Sequence, residues 1–258
     1  MTPIPISEQG PRVALLVGCL VDAFRPDVGF AAIELLEQAG CRVTVPVDQT
    51  CCGQPAWNSG DPEGARRLAR RMIDMLAGHD HVVLPSGSCA AMIRDYPRLF
   101  TDEPENLAIA QDLARRTFEL TSFLVDVMDF SAVQARFEGC ATYHDSCSGL
   151  RQMGIHAQPR RLLSQVRGLK LIEMNDAQTC CGFGGLFSVK YPGISGRMVD
   201  TKAGHALASG ADVLLGGDLG CLMNVAGRLR HMGSSLRVFH VLEMLTGRTE
   251  GPGIGGGG

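Results

Sequence analysis

Val13-Ala14-Leu15-Leu16-Val17-Gly18-Cys19 is an unbroken apolar run that stops on a glycine and a cysteine. Five apolar residues in a row, without alternation, describe a strand buried on both faces, and such strands belong to parallel sheets. Pro26 then opens a helix. Its apolar positions Val28, Ala32, Leu35, Leu36 and Ala39 share one face, and Gly40 follows where helices commonly end. Residues 42–47 read as a second strand, and the loop behind it carries Cys51-Cys52-Gly53. Asp61-Pro62-Glu63 is a helix start, with Asp as N-cap, Pro in the first turn and an acid beside the positive helix end. That helix runs to residue 77 with Leu68, Met72, Met75 and Leu76 inward. Residues 82–85 form a third strand, and Ser86-Gly87-Ser88 leads into Cys89 at a helix start.

The same order recurs downstream. A strand at 141–144 leads to Cys147, a helix spans 159–166, and a strand spans 170–174. Cys180-Cys181-Gly182 follows, then a helix over 193–208, a strand over 213–215, and a glycine-rich turn that meets Cys221 at a helix start. A last strand (236–239) and helix (240–245) close the pattern. Strand, helix, strand, loop, helix, strand, twice over, specifies an α/β protein. Its two pseudo-symmetric βαβ lobes have mainly parallel sheets and arise from an internal duplication. The expected boundaries are 11–100 for the first lobe, 101–135 for connecting helices, 136–248 for the second lobe and 249–258 for a disordered glycine-rich tail. Gly251, Gly253 and Gly256 match G-x-G-x-x-G in that tail, but no helix can follow them, so dinucleotide binding there is not indicated.

Eight of the ten cysteines fall into two copies of one pattern. Cys19, Cys51-Cys52-Gly53 and Cys89 make the first; Cys147, Cys180-Cys181-Gly182 and Cys221 make the second. The gap from single cysteine to pair is 32 positions in one copy and 33 in the other. From pair to last cysteine it is 37 and 40. In each copy the thiols come from three loops at the carboxyl edge of a parallel sheet, where such folds build their sites. A vicinal pair supplies two thiolates from one short loop, and the glycine behind it permits a tight turn. The economical reading is two iron–sulfur clusters, one per copy, with those eight cysteines as ligands. Zinc is less well matched, because structural zinc sites use C-x₂-C pairs and neither copy has one. A vicinal disulfide would be strained. Cys41 and Cys140 have no repeat partner and read as small buried hydrophobes. His144 and Asp145 lie just ahead of Cys147 and are the candidate catalytic residues, as ligand, proton carrier or partner of a ligand.

The chain has 258 residues, 45% of them hydrophobic, and a formal net charge of -3. That balance gives no footprint for nucleic acid. Arg66, Arg67, Arg70 and Arg71, Arg115 and Arg116, and Arg160 and Arg161 read as solvated helix faces. No apolar run approaches the roughly 20 residues of a membrane span, and the polar start with Pro3 and Pro5 lacks the apolar core of a leader. The expected location is cytoplasmic, where thiols stay reduced and many cysteines point to metal or redox chemistry.

The repeated pattern resembles the cysteine-rich CCG domain found in heterodisulfide reductase and in the iron–sulfur component of glycolate oxidase. Cys51-Cys52-Gly53-Gln54-Pro55-Ala56, Pro85-Ser86-Gly87-Ser88-Cys89, Leu120-Thr121-Ser122-Phe123, Tyr143-His144-Asp145-Ser146-Cys147 and Thr179-Cys180-Cys181-Gly182-Phe183-Gly184-Gly185 narrow it. These stretches are similar to the lactate utilization protein A family. The resemblance implies an iron–sulfur electron-transfer subunit of a cytoplasmic complex that oxidises L-lactate to pyruvate. Such an oxidoreductase subunit would not be active alone, and would work with two companion subunits, one of them ferredoxin-like. One departure matters. Full CCG copies end in C-x-x-C, whereas Ser86 and Asp218 stand at the first of those positions here. With four cysteines per copy, an ordinary 4Fe-4S cube and a noncubane cluster both remain open, and Ser86 or Asp218 is a possible oxygen ligand. The alternatives are a stand-alone disulfide- or quinone-reducing enzyme of the heterodisulfide reductase B type, and a non-catalytic zinc or thiol scaffold.

Overall fold

The computed structural model describes residues 10–256. The chain divides into two compact units after Phe130. In the first, the strands β1 (Arg12–Leu15), β2 (Arg42–Thr44), β3 (His81–Leu84) and β4 (Thr117–Glu119) form one sheet in the order β2-β1-β3-β4. In the second, β5 (Arg136–His144), β6 (Arg167–Leu171), β7 (Val213–Gly216) and β8 (Arg237–His240) form the sheet β6-β5-β7-β8. Every pairing is parallel. The two sheets repeat each other strand for strand, and both are parallel throughout.

The apolar run behaves as its composition requires. Val13, Ala14 and Leu15 are fully buried in the middle of their sheet. The helix Pro26–Gln38 covers them with Val28, Ala31, Ala32, Leu35 and Leu36. Each leucine buried in this way stabilises the unit by about 2 kcal/mol. The helix Pro62–Leu76 starts where the sequence says, with the Asp61 carboxylate accepting from the Gly64 N–H at 2.8 Å. Its buried face is Ala65, Ala69, Met72, Ile73 and Leu76, with Leu68 and Met75 only half-buried. In the second unit the matching helix Pro192–Ala208 starts behind Tyr191, without a side-chain cap.

Three expectations are corrected. Residues 101–130 are not a connector: they add the helix Pro104–Arg115 and the edge strand β4 to the first unit. Thus β4 and the turn Leu120–Ser122 are the counterparts of β8 and the helix Val241–Leu245. Glu119 closes that turn by accepting from Thr121 Oγ1 at 2.6 Å and from the Ser122 N–H at 3.1 Å. The glycine-rich segment is not disordered within the described residues. The Ile254 N–H donates to the Val238 carbonyl at 2.7 Å. At Gly253 a Cβ would lie 2.9 Å from that same carbonyl oxygen, so only glycine lies flat against β8 here. Residues 257 and 258 of the tail fall outside the described residues. The arginine groups are not uniformly solvated either: Arg66 and Arg70 pair with Asp102 and Glu103, and Arg160 is largely enclosed.

Candidate functional site

The first unit gathers its thiols at the carboxyl edge of its sheet. Cys19 is the first residue of the helix Cys19–Phe24, just beyond β1. Gln49 pins the next loop to the same strand end: its Oε1 accepts from the Val17 N–H at 2.8 Å, and its Nε2 donates to the Leu15 carbonyl at 3.1 Å. Gly53, at φ +88, turns the chain from Cys52 into the helix Gln54–Asn58. A non-glycine residue would be strained there. Gln54 Nε2 then donates to the Ser88 carbonyl at 3.1 Å, next to Cys89. Cys89 is the third residue of the helix Gly87–Arg94, which Ser86 caps by accepting the Cys89 N–H at 3.4 Å. The Tyr96 hydroxyl donates to the Cys52 carbonyl at 2.8 Å.

These ties bring the four sulfurs together. Cys51 is within hydrogen-bonding reach of Cys19 and Cys52, and Cys52 of Cys89. Hydrogen bonds from Cys19 and Cys52 pull the Cys51 thiol down to about 2. The bond to Cys51, reinforced by burial, pushes Cys19 and Cys52 up. One thiolate is thus shared among several thiols, and the titration belongs to the set rather than to one sulfur.

The second unit repeats the arrangement. Cys147 opens the helix Cys147–Arg151, which Ser146 caps by accepting the Gly149 N–H at 3.2 Å. The Gly182 N–H points at the Cys180 sulfur, 3.4 Å away. At Gly182, φ +83, a Cβ would lie 2.7 Å from the Ser195 carbonyl oxygen. Ser195 Oγ donates to the Gly182 carbonyl at 2.8 Å, and Asn224 Nδ2 to the Cys181 carbonyl at 2.9 Å. The Asn224 bond does in this unit what Tyr96 does in the first. Cys221 is the third residue of the helix Leu219–His231. Cys180 reaches Cys147 and Cys181, and Cys181 reaches Cys221. Cys180 is again pulled down, by its hydrogen bonds to Cys147 and Cys181.

Two polar residues distinguish this second set. His144 ends β5 and is 1% exposed, and its ring lies with the Cys181 and Cys221 sulfurs inside a 4.8 Å group. Neither ring nitrogen completes a hydrogen bond. Burial, then the charge of Lys202, lowers the His144 pKa to about 3. Lys202 is fully buried on the helix Pro192–Ala208, with Nζ donating to the carbonyls of Asp176 at 2.6 Å and Ala177 at 3.1 Å. Burial lowers its pKa as well.

Asp145 stands differently. Arg160 takes both its oxygens, at 2.8 and 2.9 Å, and also holds Glu173 at 2.6 and 2.9 Å. The guanidinium lies over the Tyr143 ring, 5.2 Å from its centre. A carboxylate so occupied serves as a clamp rather than a proton carrier. Cys41 and Cys140 join neither set. Burial alone raises the Cys41 thiol, to about 11, and Cys140 lies along β5 with its N–H bound to Asp212 at 2.7 Å. Reading the sequence missed Gln49, Gln54, Tyr96, Asn224 and Lys202. Only Gln54, beside the cysteine pair, carried a local signal.

Four convergent thiols per unit are a soft donor set, suited to iron–sulfur clusters or to thiophilic metal ions. The Gly182 N–H aimed at a sulfur is the kind of contact that tunes such a cluster. A family model described as a cysteine-rich domain, CCG, matches residues 13–94 and 141–226. The lactate utilization protein A of Geobacillus kaustophilus is 49% identical over 237 residues, 92% of this chain and 99% of that protein. Those of an Exiguobacterium species and of Bacillus cytotoxicus are 50% and 46% identical over 237 and 238 residues. These alignments cover 91% and 92% of this chain, and 97% and 100% of the relatives.

Proposed function

The chain belongs to the cysteine-rich CCG domain family and, within it, to the lactate utilization protein A family, and we propose that it is the iron–sulfur electron-transfer subunit of an L-lactate oxidation complex. The observation that carries this reading is the pair of four-thiol sets, each drawn from three loops at the carboxyl edge of a parallel sheet. Cys19, Cys51, Cys52 and Cys89 would hold one cluster, and Cys147, Cys180, Cys181 and Cys221 the other. Clusters of this kind, when bound, take up and release single electrons.

The chain's own residues supply the holding. Gln49 and Gln54 fix the first cysteine pair against β1 and the Cys89 turn, while Ser195 and Asn224 fix the second. Burial of Cys52, Cys181 and Cys221 keeps water from those sulfurs. Oxidation of lactate to pyruvate releases two electrons, so a carrier of single electrons needs partners. Two companion subunits, one ferredoxin-like, fit that requirement. Among the described residues no helix is long and apolar enough to cross a membrane, and we place the complex in the cytoplasm.

The test uses the anaerobically reconstituted chain, with and without the two companion subunits. With L-lactate, cluster reduction is expected only in the full mixture. Turnover of lactate, a disulfide or a quinone by the chain alone would contradict the subunit role.

A further inference from the structure

We infer that His144 is an iron ligand of the second site, giving that site a nitrogen donor which the first site lacks. The inference rests on the iron–sulfur reading above. It starts from sheet register. Val13 of β1 lies opposite His81, and Ala141 of β5 lies opposite Val213, the equivalent position on β7. Counting three residues along each strand sets Leu16 against His144. Both side chains are 1% exposed, so the first unit buries a hydrocarbon side chain at the position where the second buries an imidazole.

The surroundings of His144 favour a ligand over a core histidine satisfied by backbone. A neutral imidazole has one N–H and one lone pair, and both ring nitrogens here lack a hydrogen-bond partner. The Ala177 carbonyl, close enough to raise the His144 pKa slightly against burial, already takes the Asp145 N–H at 3.2 Å and Lys202 Nζ at 3.1 Å and completes no hydrogen bond with the ring. What the ring does have beside it is sulfur: a nitrogen and the sulfurs of Cys181 and Cys221 lie within 4.8 Å of one another. Buried polar atoms are normally satisfied, and a metal is the partner that two thiols and an imidazole have in common. The bond would use the lone pair of the unprotonated nitrogen and leave the other N–H in place, so no proton is released. The second site then offers five donors against four in the first. A neutral nitrogen on an iron gives a higher reduction potential than a thiolate in the same place, as in clusters held partly by histidine.

The test is pulsed EPR on the full chain, reconstituted anaerobically, reduced, and grown with either natural or nitrogen-15 histidine, with iron and sulfide measured on each sample. A strong nitrogen coupling is expected that changes with the label and is lost in His144→Leu and His144→Cys. His144→Cys should keep its iron and shift the second cluster to a lower potential. Full iron and sulfide in the unsubstituted protein without a histidine coupling would overturn the ligand role and leave the clusters standing. A coupling that survives in His144→Cys would overturn it equally. Absence of iron in the unsubstituted protein would remove both readings. The labelled, unsubstituted chain decides even where His144→Leu fails to fold.

Discussion

At matched positions the first unit buries uncharged side chains where the second buries ionisable ones. Leu16 is answered by His144. Met72, ten residues into the helix Pro62–Leu76, is answered by Lys202, ten residues into the helix Pro192–Ala208, and both are fully buried. Val17 is answered by Asp145 with its Arg160 clamp, and Ser86 by Asp218. The scaffold is the same, strand for strand. Burying a polar group weakens a fold unless its polar atoms are met; Lys202 is met by two carbonyls, and His144 is kept unmet at a stability cost. Departures of this kind gather at functional sites. One scaffold thus holds two thiol sets that differ in the ionisable groups buried beside the second.

The largest test of the comparison removes ligands one unit at a time. Cys52→Ala should lose about half of the bound iron, Cys181→Ala the other half, and Cys41→Ala none. Iron per chain measures this, and equal loss in all three variants would break the assignment. Next comes the clamp. Asp145→Ala leaves Arg160 with Glu173 and the His156 carbonyl and should cost about 3 kcal/mol in chemical denaturation. Val17→Ala in the first unit should cost less than about 1 kcal/mol. A smaller cost for Asp145→Ala than for Val17→Ala would show that the clamp contributes nothing.

The third prediction concerns pH. His144 is held neutral in the folded apoprotein, with its pKa lowered from 6.5 to about 3. Between those values the unfolded chain binds more protons, so stability falls as pH falls below 6.5 and is fully present above it. The loss between pH 6.5 and 5 is at most about 2 kcal/mol. It should disappear in His144→Leu, which copies the first unit. Thermal unfolding of apoprotein at both pH values checks this, and an unchanged pH slope in the variant would contradict it. The smallest effect is at the matched helix starts. Asp61→Ala should cost about 1 kcal/mol through the lost cap, a contact that Tyr191 does not make in the second unit. A denaturation midpoint unmoved by Asp61→Ala would contradict the cap's role.

Much of this was legible in the sequence because its signals are local and repeated. The apolar run 13–17, the Asp61-Pro62 start and the spacing of the cysteines each speak through neighbouring residues. The strand β4 was hidden because three residues, Thr117–Glu119, between Arg116 and a tight turn are too few to show a period. The glycine-rich segment misled through composition, since its order comes from contacts distant in sequence: the Ile254 bond to β8 and the Arg230 and Arg237 bonds to the Gly255 and Thr249 carbonyls. Lys202 was invisible because a lysine within a helix reads as solvent-facing. Only its match to Met72 across the duplication marks it as buried. His144 was visible as a candidate beside Cys147, but its unmet nitrogens and its nearness to Cys181 and Cys221 come from folding together loops far apart in sequence.

The most direct test of the central claim is iron and acid-labile sulfide per chain, with EPR, on anaerobically reconstituted protein. The account predicts about eight iron and eight sulfide per chain and two distinguishable reduced clusters. Zinc in their place, or less than about one iron per chain, would contradict it.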